Sequence, residues 1–250
     1  MTRLSVLILG GTTEGHALAS ALAGRSDVRV VSSLAGRTAN PRLPPGEVRV
    51  GGFGGPDALA AYLAEQKINV VVDATHPFAA VMGRNAADGC AKAGVPLLRL
   101  ERPAWVPASG DDWTEVDDWD AAARILAKQS RRVLLAVGRQ ELAPFAALDD
   151  VWFLVRSVEA PDPMPPFRQA ELLLTRGPFT LAGERDLLRS RRIDTVVCKN
   201  SGGQATDAKL MAARELGLKV VMKRRPSRPD VPTVASAEDA VARLESLGAA

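Results

Sequence analysis

The sequence predicts an α/β protein of two domains, each a parallel sheet with helices on both faces. Three observations lead there. Short runs of Val, Ile and Leu alternate with Ala- and Leu-rich segments whose apolar residues recur at helical spacing. Those runs are apolar almost throughout, as expected of strands covered on both faces. The alternation breaks at residues 101–120, ERPAWVPASGDDWTEVDDWD, which is rich in Pro, Asp and Trp, and then resumes.

In the first half, LSVLIL, VRVVSS, EVRV, INVVVDA and VPLLRL read as strands, with helices in EGHALASALAG, PDALAAYLAEQ and MGRNAADGCAKAG. The second half supplies the strands RRVLLAVG, DVWFLVRS, AELLLTRG, DTVVCKNSGG and LKVVMKRR. Its helices are QELAPFAAL, TLAGERDLLRSR, ATDAKLMAARELG and SAEDAVARLESLG, and PDPMPPFRQ reads as an ordered surface loop. This pattern predicts a first domain over 1–105, a connection and the first helix of the second domain over 106–130, and a second domain over 131–250.

Composition narrows the class. The 250 residues are 46% hydrophobic and 24% charged, enough for a packed core. No apolar run is long enough to span a bilayer, and the short LSVLIL ends at once in glycines, so the expectation is a cytoplasmic protein without membrane contact. Cys90 and Cys198 lie far apart, with no His at ligand spacing, and read as buried thiols; no metal is expected. A net charge of +3 and 4% aromatic residues rank nucleic acid last among partners. Arg189, Arg191, Arg192 and Lys223 to Arg225 read as solvated charge at element ends.

In open parallel sheets ligands sit beyond the carboxyl ends of the strands, so those ends carry the functional reading. The first is GGTTEG, Gly10 to Gly15, between an apolar strand and an amphipathic helix. Laid on G-x-G-x-x-G, it puts Thr12 where the middle glycine belongs. Gly10, Gly11, Thr12, Thr13, Glu14 and Gly15 are candidates to hold a pyrophosphate by backbone amides and helix dipole. The alternative is a tight turn with Thr capping the helix. The second strand ends in VVSSLAGRT, with no carboxylate between Val28 and Glu47. Ser32, Ser33 and Arg37 there suit the 2′-phosphate of NADPH rather than the bare ribose of NADH, unless Arg37 is a solvated loop residue. DATHPFA places Thr75 and His76 beside the first glycine turn, where His76 is either a nicotinamide or substrate contact or a loop histidine held by Asp73. The Tyr-x-x-x-Lys pair of short-chain dehydrogenases is absent, since Tyr62 is followed four residues later by Gln66. So is a G-x-S-x-G elbow.

In the second half, VCKNSGGQATDAK delivers Lys199, Asn200, Ser201, Gly202 and Gly203 to a helix expected near Thr206, the makings of an anion site. Arg139 in GRQE and Arg176 in TRGPF end neighbouring strands. Three cations on one edge point to a ligand with several carboxylates or phosphates. The alternative is loop charge paired with Glu141, Glu184 or Asp207.

With these blocks in place, the whole chain resembles the precorrin-6A reductase family of cobalamin biosynthesis. The resemblance rests on GGTTEG, SLAGR, DATHPFA, RLERPAW, GRQEL, RGPF and KNSGGQATDAKLMAARELGLKVVMKRRP in that order. It implies two Rossmann-like domains with an interdomain cleft, and NADPH-dependent hydride transfer to a ring carbon of precorrin-6A, giving precorrin-6B. It implies Gly10 to Gly15, Ser33, Gly36, Arg37, Thr75 and His76 as the cofactor set. The substrate set for the tetrapyrrole is Arg139, Arg176, Gly177, Lys199 to Gly203 and Lys209, with Lys199 the first choice for a proton donor. Neighbouring enzymes of the pathway are possible partners. Two rivals remain: the cobalt-containing version of the step, using NADH, and a non-catalytic NADP(H)-binding module.

Overall fold

A computed structural model describes residues 3–36 and 42–248. The chain folds into two compact units, 1–103 with 226–250, and 104–225.

The first unit opens with β1 (Leu4–Leu9), α1 (Thr13–Leu22), β2 (Val28–Leu34), β3 (Glu47–Val50), α2 (Pro56–Glu65), β4 (Val70–Asp73), α3 (Ala80–Ala93) and β5 (Leu97–Leu100). Both faces of its sheet are buried, which explains the unbroken apolar runs. Val6, Ile8, Val30, Val70 and Val72 pack with Leu18 and Leu22 of α1. The alternate residues Leu7, Leu9, Val31 and Val71 pack with Leu59 and Leu63 of α2 and Cys90 of α3.

The second unit contains β6 (Asp112–Val116), α4 (Trp119–Gln129), β7 (Arg132–Ala136), β8 (Trp152–Ser157), β9 (Ala170–Leu174), α5 (Leu181–Ser190), β10 (Thr195–Lys199), α6 (Ala208–Glu215) and β11 (Lys219–Lys223). Val133, Leu135, Phe153 and Val197 meet Trp119, Ala122 and Leu126 of α4 on one face. Leu134, Leu154, Val196 and Cys198 meet Leu188 of α5 and Leu210 of α6 on the other. The chain then returns to the first unit with β12 (Thr233–Val234) and α7 (Ala237–Gly248).

All strands pair in parallel. The first sheet runs β3-β2-β1-β4-β5-β12 and the second β9-β8-β7-β10-β11-β6. Both reverse direction beside their central strand, between β1 and β4 and between β7 and β10, which is the doubly wound arrangement. The sixth strand of each sheet comes from a segment joining the units.

Here the structure departs from the sequence expectation in three places. QELAPFAAL does not form a helix, because Pro144 sits within it and the segment makes only a 3-10 turn over Ala143–Phe145. Residues 226–250 do not continue the second unit. β12 pairs with β5 (Thr233 beside Arg99), and Ala240 and Leu244 of α7 join the core under α1. Residues 106–130 also hold more than a connection and a helix, because Asp112–Val116 pairs with β11 as an edge strand.

Candidate functional site

In the first unit the reversal point lies between β1 and β4, and GGTTEG and DATHPFA meet there. Thr12 caps α1: its Oγ1 accepts from the Gly15 amide at 3.1 Å. The same hydroxyl donates to the Ala74 carbonyl at 2.7 Å, tying the turn to the end of β4. The middle-glycine position is therefore filled by a side chain that serves both neighbours. Gly11 carries the left-handed backbone (φ +109°). Gly15 allows the close approach of helix and strand, since a Cβ there would lie 3.1 Å from Cβ of Ala74. The amides of Thr13 and Glu14 stand in the first turn, where the helix offers no acceptor, so this edge fits a pyrophosphate. Glu14 would oppose an anion, but its carboxylate accepts from Arg102 at 2.8 Å.

Thr75 faces inward: its amide (3.2 Å) and hydroxyl (2.6 Å) both donate to Asp73. Asp73 is fully buried and accepts in addition from Arg228, which also donates to Glu101 at 2.8 Å. Gly83 of α3 makes room for that guanidinium, since a Cβ there would come within 2.5 Å of Nε. His76 is half-buried, and its Nδ1 accepts from the Phe78 amide at 3.2 Å. At the end of β2, the Ser33 carbonyl accepts from the Gly10 amide at 2.9 Å and Ser32 is buried. Gly36 has φ +71°, while Arg37 lies outside the described residues.

In the second unit the reversal point lies between β7 and β10, and it gathers Lys199, Glu141 and Lys223. Lys199 Nζ is 2.5 Å from one Glu141 oxygen and Lys223 Nζ 3.7 Å from the other, which also accepts from the Trp119 indole. Burial pushes the Glu141 carboxyl up, but the hydrogen bond and charge of Lys199, with Trp119 and Lys223, outweigh it and hold it below its ordinary value. Two ammonium groups thus share one carboxylate. Gly138 (φ +93°) keeps the loop after β7 close to Lys199.

The other sequence candidates divide. Gly202 (φ +68°) and Gly203 (φ +80°) shape the turn after β10, and Ser201 sits half-buried within it. Asn200 is turned inward, its amide accepting from Trp105 N at 2.8 Å and donating to Trp105 O at 3.0 Å. Gly177 packs the loop after β9 against the same turn, a Cβ there lying 3.2 Å from the Ala205 carbonyl. Arg176 is exposed on that loop, and Arg139 pairs with Glu159 at 3.0 Å. Lys209 is not presented at the edge. It is buried, donates to the Thr206 carbonyl at 2.5 Å and lies 4.4 Å from the centre of the Trp105 ring, and burial pushes its pKa down. Gln204–Thr206 is a 3-10 turn, so α6 begins two residues later than expected.

The sequence assigns no role to Arg49, Arg156 or Arg228, and its reading of Lys223 and Arg225 as solvated charge is corrected, since both are half-buried and bonded, Lys223 to Glu141 and Arg225 to the turn after β10. Arg156 forms a two-point pair with Glu184 (2.5 and 3.0 Å), both buried, which removes Glu184 as a counter-ion for the loop cations. Arg225 donates to the carbonyls of Asn200 (3.0 Å) and Ser201 (3.2 Å), bracing the turn after β10. Only Arg225 had a local signal, in the basic run closing β11. Among the described residues no cluster of His, Cys, Asp and Glu could hold a metal ion, and no helix is long and apolar enough to cross a membrane.

Residues 5–245 match the family model for precorrin-6x reductase CbiJ/CobK. A precorrin-6A reductase of Rhodococcus erythropolis is 49% identical over 99% of this chain and 98% of its own length. One from Mycobacterium tuberculosis is 50% identical over 92% of this chain and 91% of its own. The solved structure of a CobK precorrin-6A reductase superposes with a TM-score of 0.92 at 44% identity, covering 99% of this chain and 98% of that one.

Proposed function

The chain belongs to the precorrin-6x reductase CbiJ/CobK family, and from that premise we propose that it reduces precorrin-6A to precorrin-6B at the expense of NADPH. The observation that carries the reading is the pair of reversal points. One bears a glycine turn and helix start fitted to a pyrophosphate. The other gathers Lys199 and Lys223 about one carboxylate, with exposed Arg176 on the loop after a neighbouring strand, cations suited to a ring carrying carboxylates.

When bound, NADPH supplies the hydride; with one proton, it adds two hydrogens to the conjugated macrocycle. The chain's own part is orientation and charge. Gly10 to Gly15 hold the diphosphate. Ser33 and Gly36 shape the adenosine end, with Arg37 a further candidate. Thr75 fixes the path of the segment carrying His76, which lies beside the glycine turn. Arg139, Arg176 and the 199–203 turn take the acidic side chains of the ring, with Gly177 holding the neighbouring loop against that turn. Lys199 is the group we assign next to the reacting ring, where its ammonium either gives the proton or anchors a carboxylate. Glu141 and Lys223 set its position and charge.

The test is to supply the purified protein with precorrin-6A and either NADPH or NADH and follow coenzyme oxidation and product mass. Turnover with NADPH far above that with NADH is the expected result. Turnover only with the cobalt-containing ring, or NADPH binding without turnover, overturns the reading. Lys199→Met separates the roles of that residue. Full turnover at saturating substrate removes it from the catalytic list.

A further inference from the structure

We infer that Arg49, at the end of β3, is the residue that recognises the adenosine 2′-phosphate and so sets the preference for NADPH. The inference rests on the NADPH reading above and adds the residue that enforces it.

Arg49 is the register partner of Ser33, the β2 residue whose carbonyl receives the Gly10 amide. Its guanidinium is thus one strand from the glycine turn, at the end of the sheet where this fold places the adenosine ribose. It donates to Ser33 Oγ at 3.0 Å, to the Gly51 carbonyl at 2.7 Å and to the Gly52 carbonyl at 3.0 Å. Its carbon lies 3.8 Å from the centre of the Phe53 ring and 5.4 Å from that of Tyr62. The glycines make this possible, since Gly51 takes φ +118° to turn its carbonyl back toward β3.

Two features separate this arginine from a structural one. Its partners are all neutral: a hydroxyl, two carbonyls and aromatic faces. Arg25, Arg29, Arg102, Arg139, Arg156, Arg214 and Arg228 each face a carboxylate, whereas no carboxylate pairs with Arg49 among the described residues. A half-buried cation held in place but not neutralised leaves a standing positive field. The second feature is chemical. An Asp or Glu ending β2 would accept from a 2′-hydroxyl and repel a 2′-phosphate, and this chain has none between Val28 and Glu47. Glu47 itself is committed to Arg29, at 2.7 and 2.8 Å. The stacked guanidinium retains its Nε–H and one Nη2–H for the phosphate oxygens, and its rotamer entropy is already spent.

The test uses two fragments that differ only in this group, adenosine 2′,5′-bisphosphate and 5′-AMP, titrated by calorimetry into the full chain. The wild type should bind the bisphosphate more tightly. Arg49→Met should lower that ratio roughly tenfold to a hundredfold, with 5′-AMP little changed. Arg49→Lys keeps the charge but not the planar fork, should give an intermediate ratio, and serves alone if the Met variant does not fold. A wild-type preference that both variants retain overturns the assignment to Arg49 and leaves the NADPH reading standing. No wild-type preference for the 2′-phosphate overturns the NADPH reading, and this inference with it.

Discussion

Replacing Thr12 by alanine removes two bonds made by one hydroxyl, and the structure gives the cost of each. The first is the cap on α1, where Oγ1 accepts from the Gly15 amide at 3.1 Å; losing such a cap costs about 1 kcal/mol. The second is the bond to the Ala74 carbonyl at 2.7 Å, partly buried and spanning 62 residues of sequence, which adds about 1 kcal/mol. The sum, about 2 kcal/mol, corresponds to a drop of roughly 4–8 °C in the melting temperature for a chain of this size. Thr12→Ser keeps the hydroxyl and should lose only a small part of this. The assay is urea denaturation followed by circular dichroism, with thermal melts alongside. NADPH affinity serves as a second readout, because the cap also sets the pitch of the first-turn amides that the proposed function assigns to the pyrophosphate. If Thr12→Ala matches the wild type within error, or Thr12→Ser is as unstable as Thr12→Ala, the account of this position is wrong.

Arg156→Met should cost roughly 3–5 kcal/mol in urea unfolding, because it strands the Glu184 carboxylate in a buried site; changing both residues to apolar ones should recover most of it. Leu244→Ala, six residues from the carboxyl terminus, should cost roughly 2–3 kcal/mol and destabilise the first unit, because Leu244 is only 1% exposed under α1. Glu141 has a pKa below its ordinary value when folded, so its contribution is complete above the usual carboxylate range and is lost as the pH falls through the depressed value. The stability difference between wild type and Glu141→Gln should therefore stay flat from neutral pH to about pH 5 and shrink only below it. A difference that collapses nearer pH 6 would contradict the pairing.

Which features were legible in the chain follows from where their causes lie. The α/β class, most strands, and both glycine turns are local in origin. A run such as LSVLIL buries alternate residues on opposite faces, so its hydrophobicity alone declares a central strand. Of the four edge strands, Glu47–Val50 and Ala170–Leu174 are still legible as EVRV and AELLL, but the other two give no such signal. Asp112–Val116 is exposed at Asp112, Thr114 and Glu115 and falls in the stretch read as a Pro-, Asp- and Trp-rich connection, and Thr233–Val234 is only two residues long. The destination of residues 226–250 is likewise not written locally. SAEDAVARLESLG is an amphipathic helix wherever it packs, and only the core under α1 assigns it to the first unit.

The amino-acid order alone places two turns rich in glycine, hydroxyl and basic residues after two apolar strands, because those residue types set local backbone shape and charge wherever the chain packs. Packing settled which of those side chains turn inward and which stay at the sheet edges. Lys209 and Asn200 turned inward and Lys199 acquired Glu141, while Arg49, 16 residues from Ser33 in sequence, came to rest beside it. Charge compensation and burial depend on neighbours brought by strand pairing, and those neighbours lie far away along the chain.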